Sequence, residues 1–189
     1  MSVLSDHEIR IIDGMIEPYF AKSHAFGMSY GESSYGYDLR MGDTIKVMSQ
    51  RTKDKYKVLS TVNKPEDDLY STYVLKGDDP FILKPHGRCL VATLETIKMP
   101  SNVVAITKPK STLSRFGLDV ASVVIEPDWT GKITLEVFNH TDRGIALYSG
   151  MPICQLMFFT GCGVPDNGYK GKYQGDMGIA LNKVDANGN

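Results

Sequence analysis

The chain has 189 residues, of which 42% are hydrophobic, and its composition does not change abruptly along the sequence. That size is typical of one domain with a single hydrophobic core, so we predict one domain over residues 1–189. The formal net charge is −1, which excludes the overall positive field that non-specific nucleic-acid binding requires.

The cysteines and the apolar runs indicate the compartment. Cys89, Cys154 and Cys162 are odd in number, lie in or beside apolar runs and show no CxxC spacing. This pattern predicts neither a disulfide framework nor a zinc site, and it favours buried thiols in a reducing compartment. No apolar run approaches the length that crosses a bilayer, and residues 1–10 do not resemble a signal peptide. We therefore expect a cytoplasmic protein without a membrane partner.

A short helix is predicted near the start of the chain. Ser5 and Glu8 form an S-x-x-E capping box. Apolar residues then recur at helical spacing, at Ile9, Ile12 and Met15. We expect the helix to end before Pro18.

The pattern then changes to short alternating or β-branched runs separated by Gly, Pro, Asn and Asp. The predicted strands are Thr44–Met48, Tyr70–Leu75, Phe81–Lys84, Cys89–Ile97, Val103–Thr107, Val120–Ile125, Ile133–Phe138, Ile145–Tyr148 and Ile153–Phe159. Many short strands at regular intervals are typical of an all-β sandwich or barrel. The polar segment Thr52–Asp68 is predicted to be a loop. The segment from Gly161 onward is too polar to order itself, so it is either disordered or folds over something.

Two stretches carry the candidate chemistry. Lys110 and the hydroxyls of Ser111 and Thr112 open a turn that Ser111 can cap, which suits an anion site or, equally, an ordinary capped turn with solvated lysines. In the run from Ile133 to Phe138, alternation places Glu136 on the face opposite the aliphatic residues. That carboxylate is either solvated on an outer face or has a chemical purpose.

Five segments, taken in order, resemble the motifs of one family: Ser33–Arg40 the first, Lys110–Gly117 the second, Ile125–Gly131 the third, Gly150–Leu156 the fourth and Gly171–Gly175 the C-terminal lid. On these segments the chain resembles the dCTP deaminases of the dUTPase-like superfamily. The resemblance implies a mainly β, dUTPase-like distorted barrel or jelly roll. Its parts would be an N-terminal helical extension (residues 1–32), a β core (33–160) and a flexible lid over the nucleotide (161–189).

One residue separates two chemistries within that superfamily. Deaminases carry Thr-Leu-Glu on the strand after the third motif, where dUTP diphosphatases generally lack the glutamate, and Glu136 occupies that place. The resemblance therefore implies hydrolytic deamination of dCTP to dUTP and ammonia, which supplies thymidylate synthesis, with Glu136 as general acid and base. Zinc-dependent deaminases carry H-x-E with P-C-x-x-C, a signature missing from this sequence, so we expect a zinc-independent reaction.

The resemblance also assigns the other site residues. Ser111 would hold the attacking water, and Arg115 would position Glu136 and stabilise developing charge. Glu126 would receive the 3′-hydroxyl of the sugar, and Trp129 would lie beside the sugar unless it belongs to the core. The remaining contacts would be Lys110, Ser111 and Thr112 with phosphate oxygens, main-chain groups of Thr134 and Leu135 with the pyrimidine edge, and Tyr169 and Lys172 with the triphosphate.

Partners and departures follow from the same resemblance. It implies Mg²⁺ bound through the triphosphate, a homotrimer with sites at subunit interfaces, and dTTP as a possible inhibitor. Val123 and Val124 replace the Thr-Pro or Ala-His of many relatives, so water placement or the tolerated substituent on the base could differ. Asp176 stands where the lid usually has Gln, and an acid facing a polyanion is unfavourable.

Two other functions remain open from the sequence. A diphosphatase, alone or combined with deamination, would need a carboxylate poised on a water near the α-phosphate, and Asp38 and Glu126 are the candidates. A non-catalytic nucleotide-binding regulator on the same scaffold is the third reading, although Glu136, Ser111 and Arg115 are all present.

Overall fold

The computed structural model describes residues 2–48 and 69–183, so the predicted loop Thr52–Asp68 lies outside the described residues. The elements in chain order are β1 (Ser2–Val3), α1 (Asp6–Ile11), β2 (Ile16–Glu17), β3 (Ser23–Ala25), β4 (Met28–Ser33), β5 (Gly36–Met48), β6 (Tyr70–Val74), β7 (Phe81–Leu83), β8 (Arg88–Thr93), β9 (Thr96–Lys98), β10 (Val103–Pro109), α2 (Ser111–Arg115), β11 (Leu118–Val120), β12 (Val124–Ile125), β13 (Thr130–Gly131), β14 (Thr134–Asn139), β15 (Ile145–Leu147) and β16 (Pro152–Thr160). The predicted mainly β class is confirmed.

The strands form one large antiparallel sheet with two small ones beside it. The main path runs β11-β14-β8-β5-β16-β10-β12, and β1, β3, β4 and β6 attach beside it. A small sheet has the order β13-β9-β2, and another joins β15 to β7. The path places β14 between β11 and β8, which determines how the candidate site is built.

The strand β5 joins two parts of the main sheet. Its first half pairs with β4 and β16, and its second half pairs with β6 and β8. The register with β8 shifts between Met41 and Ile45, and such an irregularity bends a strand. Side chains from both halves, including Tyr37 and Ile45, are fully buried in one hydrophobic cluster. The sheet therefore curls around a single core.

The capping box near the start of the chain is confirmed. Ser5 caps α1, the backbone N–H of Glu8 donates to its hydroxyl, and the Glu8 carboxylate accepts from the Ser5 N–H at 2.8 Å. Ile9 is the buried residue of this helix. The helix covers only residues 6–11 of the predicted helical extension, and β1 to β4 occupy other parts of residues 1–32. Their runs of two to six residues are too short for a clear alternation signal.

The predicted strand Cys89–Ile97 is divided into β8 and β9 because Glu95 turns into the core. The fully buried carboxylate of Glu95 accepts from the backbone N–H of Arg40 at 2.9 Å and from the Arg40 Nε–H at 2.7 Å. The guanidinium of Arg40 in turn lies over two neighbouring aromatic rings, 4.5 Å from the centroid of Phe20 and 4.6 Å from that of Tyr30. A buried ion pair of this kind interrupts the apolar alternation.

The predicted strand Val120–Ile125 is also divided, into β11 and β12. After β11, the Ala121 N–H still donates to the Glu136 carbonyl at 2.9 Å. The chain then crosses to β10, where the Val123 N–H donates to the Thr107 hydroxyl at 2.9 Å and the Thr107 N–H donates to the Val123 carbonyl at 3.0 Å. This crossing forms one wall of the cavity described next.

Candidate active site

A cavity of about 520 Å³ lies against the part of the main sheet that the second half of β5, β8 and β14 form. Its floor comes from β5, β8 and β14, one wall from residues 123–126, and its cover from residues 169–182. The lining residues are Lys46, Met48, Tyr70, Arg88, Cys89, Leu90, Val123, Val124, Ile125, Glu126, Trp129, Lys132, Ile133, Thr134, Glu136, Tyr169, Tyr173, Asp176, Ala180, Leu181 and Asn182.

Glu136 lies on the cavity side of β14, as the alternation predicts. Ile133, Leu135 and Val137 are buried, whereas Glu136 is exposed toward the cavity. The register places Glu136 opposite Leu90, and Leu90 opposite Lys46, so these residues form one row across three strands. The position of Glu136 is compatible with both the solvated and the functional interpretation, because its carboxylate is exposed and also lines a cavity.

The free edge of β14 presents peptide groups to the cavity at residue 134. The Glu136 carbonyl accepts from Ala121 on the side facing β11, and peptide groups of alternate residues in a strand point the same way. The groups of Thr134 therefore also point away from β8, beyond the end of β11. Those of Leu135 point toward β8, where Leu135 pairs with Val91. Main-chain groups of both Thr134 and Leu135 were predicted to contact the pyrimidine; those of Thr134 lie at the free edge, whereas those of Leu135 face β8.

The cavity wall that includes Glu126 and Trp129 carries the residues predicted to contact the sugar. Glu126 is exposed in the cavity, and its carboxylate makes no hydrogen bond or ion pair within the described residues, whereas its backbone carbonyl accepts from the Trp129 N–H at 3.3 Å. Trp129 is 8% exposed, belongs to the core cluster and also lines the cavity. The two interpretations of Trp129, core residue and ligand platform, are therefore both compatible with its position. Val123 and Val124 make this wall apolar next to Glu136.

The tail (residues 161–183) contains no helix or strand, yet it is tied to the cavity wall by many hydrogen bonds. The Tyr169 N–H donates to the Pro127 carbonyl at 2.8 Å, and the Trp129 indole donates to the Tyr173 carbonyl at 3.0 Å. Further along, the Ala180 N–H donates to the Thr134 hydroxyl at 2.8 Å. Of the two predicted behaviours of the tail, folding over another part of the molecule is the one observed.

Asp176 lies in the cavity cover and is paired within the tail. Its backbone carbonyl accepts from the Lys132 N–H at 2.7 Å, and one carboxylate oxygen contacts the ammonium of Lys183 at 2.5 Å. A side chain at Gly131 would place its Cβ only 2.6 Å from the Asp176 carbonyl, so glycine is needed there. Lys183 therefore offsets the negative charge that the sequence places in the lid. The other carboxylate oxygen of Asp176, Oδ2, is buried and has no hydrogen-bond partner among the described residues.

Lys172 does not line the cavity. Its ammonium lies 5.6 Å from the ring centroid of Tyr173, and its carbonyl accepts from Lys183 at 3.0 Å. Of the predicted tail residues, Tyr169 lines the cavity and its hydroxyl accepts from the Tyr173 N–H at 3.2 Å.

The predicted residues of the second motif are not in this cavity. Ser111, Thr112 and Arg115 are exposed on α2, where Arg115 donates to the Ser111 hydroxyl at 3.2 Å. Lys110, and not Ser111, is the N-cap residue, and its side chain makes no capping hydrogen bond. The Lys110 ammonium turns inward instead and lies 2.7 Å from a carboxylate oxygen of Asp38. One chain thus brings together Glu136, Thr134, Glu126, Trp129 and Tyr169, but not the residues of α2.

Several cavity residues have no counterpart among the predicted site residues, notably Lys46, Arg88, Lys132 and Tyr173. Lys46 and Arg88 lie on the same sheet face as Glu136, and the register reveals this only once β5, β8 and β14 are aligned. None of the three cations forms an ion pair within the described ranges. Together they give the cavity a positive contribution that can face a phosphorylated ligand.

The titratable groups near the cavity include one thiol with an altered pKa. Burial raises the pKa of Cys89 to about 12, so this thiol stays protonated at neutral pH. Among residues 2–48 and 69–183, no group of three or more His, Cys, Asp or Glu side chains is placed to hold a metal ion. Neither helix within those ranges is long and apolar enough to span a membrane.

Comparison with known proteins adds a family. Residues 6–161 match the model of a family described as dCTP deaminase-like. The chain is 36% identical over 190 residues to a dCTP deaminase of Acidobacterium capsulatum, which covers 97% of this chain and 100% of that protein. It is 35% identical over 191 residues to a dCTP deaminase of Granulibacter bethesdensis, with the same coverage of both chains.

The fold also matches a solved structure. The crystal structure of 2′-deoxycytidine 5′-triphosphate deaminase from Agrobacterium tumefaciens superposes with a TM-score of 0.62 at 19% identity. The match covers 84% of this chain and 49% of that one. At this identity the likeness concerns the fold alone, and it agrees with the curled antiparallel sheet described above.

Proposed function

Because this chain belongs to the dCTP deaminase-like family, we propose that it catalyses the hydrolytic deamination of dCTP to dUTP and ammonia, with Glu136 as general acid and base. The product would feed thymidylate synthesis, and the enzyme would act in the cytoplasm, with dTTP as an inhibitor. The position of Glu136 is the observation that carries the proposal. Its carboxylate faces a cavity of nucleotide size beside the open peptide edge at Thr134.

The chemistry needs one group that both accepts and donates protons. Water attacks C4 of the cytosine ring, Glu136 accepts the proton that the water loses, and N3 of the ring receives a proton from Glu136. Glu136 then takes the proton of the C4 hydroxyl and passes it to the exocyclic amine, so that the C4–N bond breaks, ammonia leaves and the C4 carbonyl of dUTP forms. A single carboxylate can perform these transfers in turn, and no zinc-bound water is required.

The cavity supplies contacts for base and sugar. The peptide groups of Thr134 present a donor and an acceptor at the β14 edge, which suits the Watson–Crick edge of a pyrimidine. The Glu126 carboxylate, which has no partner within the described residues, is free to accept a hydrogen bond from a sugar hydroxyl, and Trp129 lies in the same wall. The cations Lys46, Arg88 and Lys132 suit a ligand that carries phosphates.

Magnesium fits this cavity as a companion of the triphosphate. Mg²⁺ prefers several waters and substrate phosphate oxygens over a cage of protein ligands. When bound, Mg²⁺ would neutralise part of the phosphate charge. The lining cations Lys46, Arg88 and Lys132 would complement the remaining negative charge of the phosphates. The ion pair with Lys183 compensates the negative charge of Asp176 in the same cavity.

The site is incomplete in one chain, which supports a homotrimer with shared sites. Glu136 is exposed, and the residues predicted to hold water and phosphate lie on α2, outside the cavity. Exposed apolar side chains lie beside both α2 and the cavity. Phe116, at the end of α2, is 70% exposed, and Val124, in the cavity wall, is 62% exposed. A second copy that brings α2 against the cavity would cover these side chains and desolvate Glu136.

Of the two carboxylates that a diphosphatase could use, Glu126 is the one in the cavity, where we assign it to the sugar hydroxyl, and Asp38 gives that activity no support. Asp38 is buried and paired with Lys110, so it has no free access to a water at a phosphate. A purely regulatory role likewise has no specific observation in its favour, since the Glu136 carboxylate lines the cavity and has no partner within the part of the chain that the structure describes.

The direct experiment is to incubate the protein with dCTP and Mg²⁺ and to measure ammonia, dUTP, dUMP and pyrophosphate. Ammonia and dUTP in equal amounts are expected. Glu136→Gln should abolish ammonia release, by about 1,000-fold or more, while nucleotide binding persists. Glu126→Gln is the matched control in the same cavity and should mainly raise KM. Pyrophosphate without ammonia, or full activity of Glu136→Gln, would contradict the proposal.

A further inference from the structure

A buried polar cluster under α2 is not part of the cavity. The Lys110 ammonium lies 2.7 Å from Oδ2 of Asp38 and donates to the Ser29 hydroxyl at 3.3 Å. The Ser29 hydroxyl in turn donates to the same Asp38 oxygen at 3.0 Å. The side chains are 10% exposed for Lys110 and 7% exposed for Asp38. The three groups therefore satisfy one another away from solvent.

The cluster connects separate parts of the chain at the start of α2. Ser29 lies on β4 and Asp38 on β5, and these strands pair with each other. Lys110 directly precedes α2, and its carbonyl accepts from the N–H groups of Leu113 at 2.9 Å and Ser114 at 3.1 Å. The orientation of Lys110 thus determines where the first turn of α2 begins.

The helix needs such an anchor because it is too short to be stable by itself. It has five residues, and isolated helices of that length do not form in water. Leu113 is its buried side chain. Lysine is also a poor N-cap residue, since it cannot accept the hydrogen bond that serine or aspartate would accept. A lysine at this position therefore has a purpose other than capping.

Resting on the proposed function, we propose that Asp38, with Ser29, is a positioning residue that acts through Lys110 to hold α2, and that Lys110 is not a ligand of the phosphates. The exposed groups of α2, Ser111 and Arg115, are the ones that would meet the substrate. The Lys110 ammonium is instead held by Asp38 and Ser29, and its side chain is only 10% exposed.

The test separates positioning from phosphate binding by varying the number of phosphates. Kinetic constants are measured with dCTP, dCDP and dCMP for Asp38→Asn, Lys110→Gln and the double variant. We expect kcat to fall by about 10- to 100-fold with little change in KM, because a small displacement of catalytic groups costs that much. The fold-loss should be the same for all three nucleotides. The double variant should be no worse than the poorer single variant, since the groups act as a unit.

Conservative variants protect the test against misfolding. Lys110→Arg keeps the charge and should restore most of the activity that Lys110→Gln loses. Ser29→Ala keeps both charges and should lower kcat by a few-fold only. A loss with Lys110→Gln that grows with each added phosphate, together with normal kcat in Asp38→Asn, would overturn the proposal.

A second readout does not depend on activity. Asp38→Asn should speed amide hydrogen exchange at Leu113 and Ser114, while exchange in the distant strand β15 stays unchanged. Unaltered exchange in α2 would count against the anchor even if the protein released no ammonia. Absence of ammonia from the wild-type protein, in contrast, would reject only the proposed reaction.

Discussion

The indole N–H of Trp129 donates a 3.0 Å hydrogen bond to the backbone carbonyl of Tyr173, so the cavity wall holds the tail through a side chain that is itself part of the core. Next to it, the Gln174 side chain accepts from the Thr130 N–H at 2.9 Å and donates to the Asp128 carbonyl at 2.8 Å. The third motif and the lid motif therefore form one unit, with the cavity on one side of it.

Trp129→Phe should loosen the tail without emptying the core. Phenylalanine keeps most of the buried apolar volume but lacks the N–H, and one neutral hydrogen bond contributes about 1 kcal/mol. Hydrogen exchange of the Tyr169 and Ala180 amides should rise by about five-fold, as measured by mass spectrometry. Tyr35→Phe, which changes an exposed side chain elsewhere, is the control. Unchanged exchange in the tail would mean that this hydrogen bond does not hold it.

The thiols should react in a fixed order with an aromatic disulfide reagent. Burial raises the pKa of Cys89 to about 12, and burial also raises the pKa of Cys154. At pH 8 only about one Cys89 in 10,000 would be a thiolate. Cys162 is exposed. One thiol should therefore react quickly in the native protein and three in denaturant, and Cys162→Ser should remove the fast phase. Rapid labelling of Cys89 would instead show that the cavity floor opens.

Acid should weaken the fold through Glu32. The hydrogen bond from Arg10, at 2.6 Å, lowers the pKa of Glu32, and the Tyr19 hydroxyl adds a second donor. A depressed pKa in the folded state stabilises the protein above the ordinary glutamate pKa of about 4.3, and this contribution disappears as the pH falls through the lower, folded value. The stability difference between wild type and Glu32→Gln should therefore be greatest near pH 7 and should shrink progressively as the pH falls below about 4.3.

Urea unfolding at fixed protein concentration from pH 3 to pH 7 measures this difference. Glu17→Gln is the matched control, because Glu17 is exposed and makes no ion pair within the described residues. A Glu32→Gln difference that stays constant over this pH range would contradict the assignment.

The parts of the fold that follow from alternation could be predicted from the sequence. The faces of β14 are an example, since Leu135 and Glu136 lie on opposite sides as the period of two requires. The capping box of Ser5 is another, because a helix start is a local feature. Local patterns succeed where neighbouring residues determine the structure.

The remaining features depend on partners that are distant in the sequence. Asp38 and Glu95 are buried charges, and only the fold reveals that Lys110 and Arg40 are their partners. The direction of the Leu135 peptide depends on the register with β8, which no single strand encodes. The same applies to Lys110. The sequence around it resembles a phosphate-binding motif, and only the fold reveals that its ammonium pairs with Asp38.

The separation of α2 from the cavity leads to a prediction about mixed subunits. Ser111→Ala and Glu136→Gln should each be nearly inactive alone. If one copy supplies α2 and its neighbour supplies Glu136, random assembly of equal amounts leaves about a quarter of the sites with both intact groups. Ammonia release by the refolded mixture should therefore approach about one quarter of the wild-type rate.

The control is a mixture of Ser111→Ala with Arg115→Gln. Both residues lie on the same five-residue helix. Every chain in this mixture therefore carries a damaged α2, and no arrangement of subunits can give a site an intact one. That mixture should stay inactive, whereas copurification through a tag on one variant shows that mixed oligomers form in both cases. Mixed oligomers of Ser111→Ala and Glu136→Gln without ammonia release would mean that α2 and Glu136 serve the reaction from the same chain.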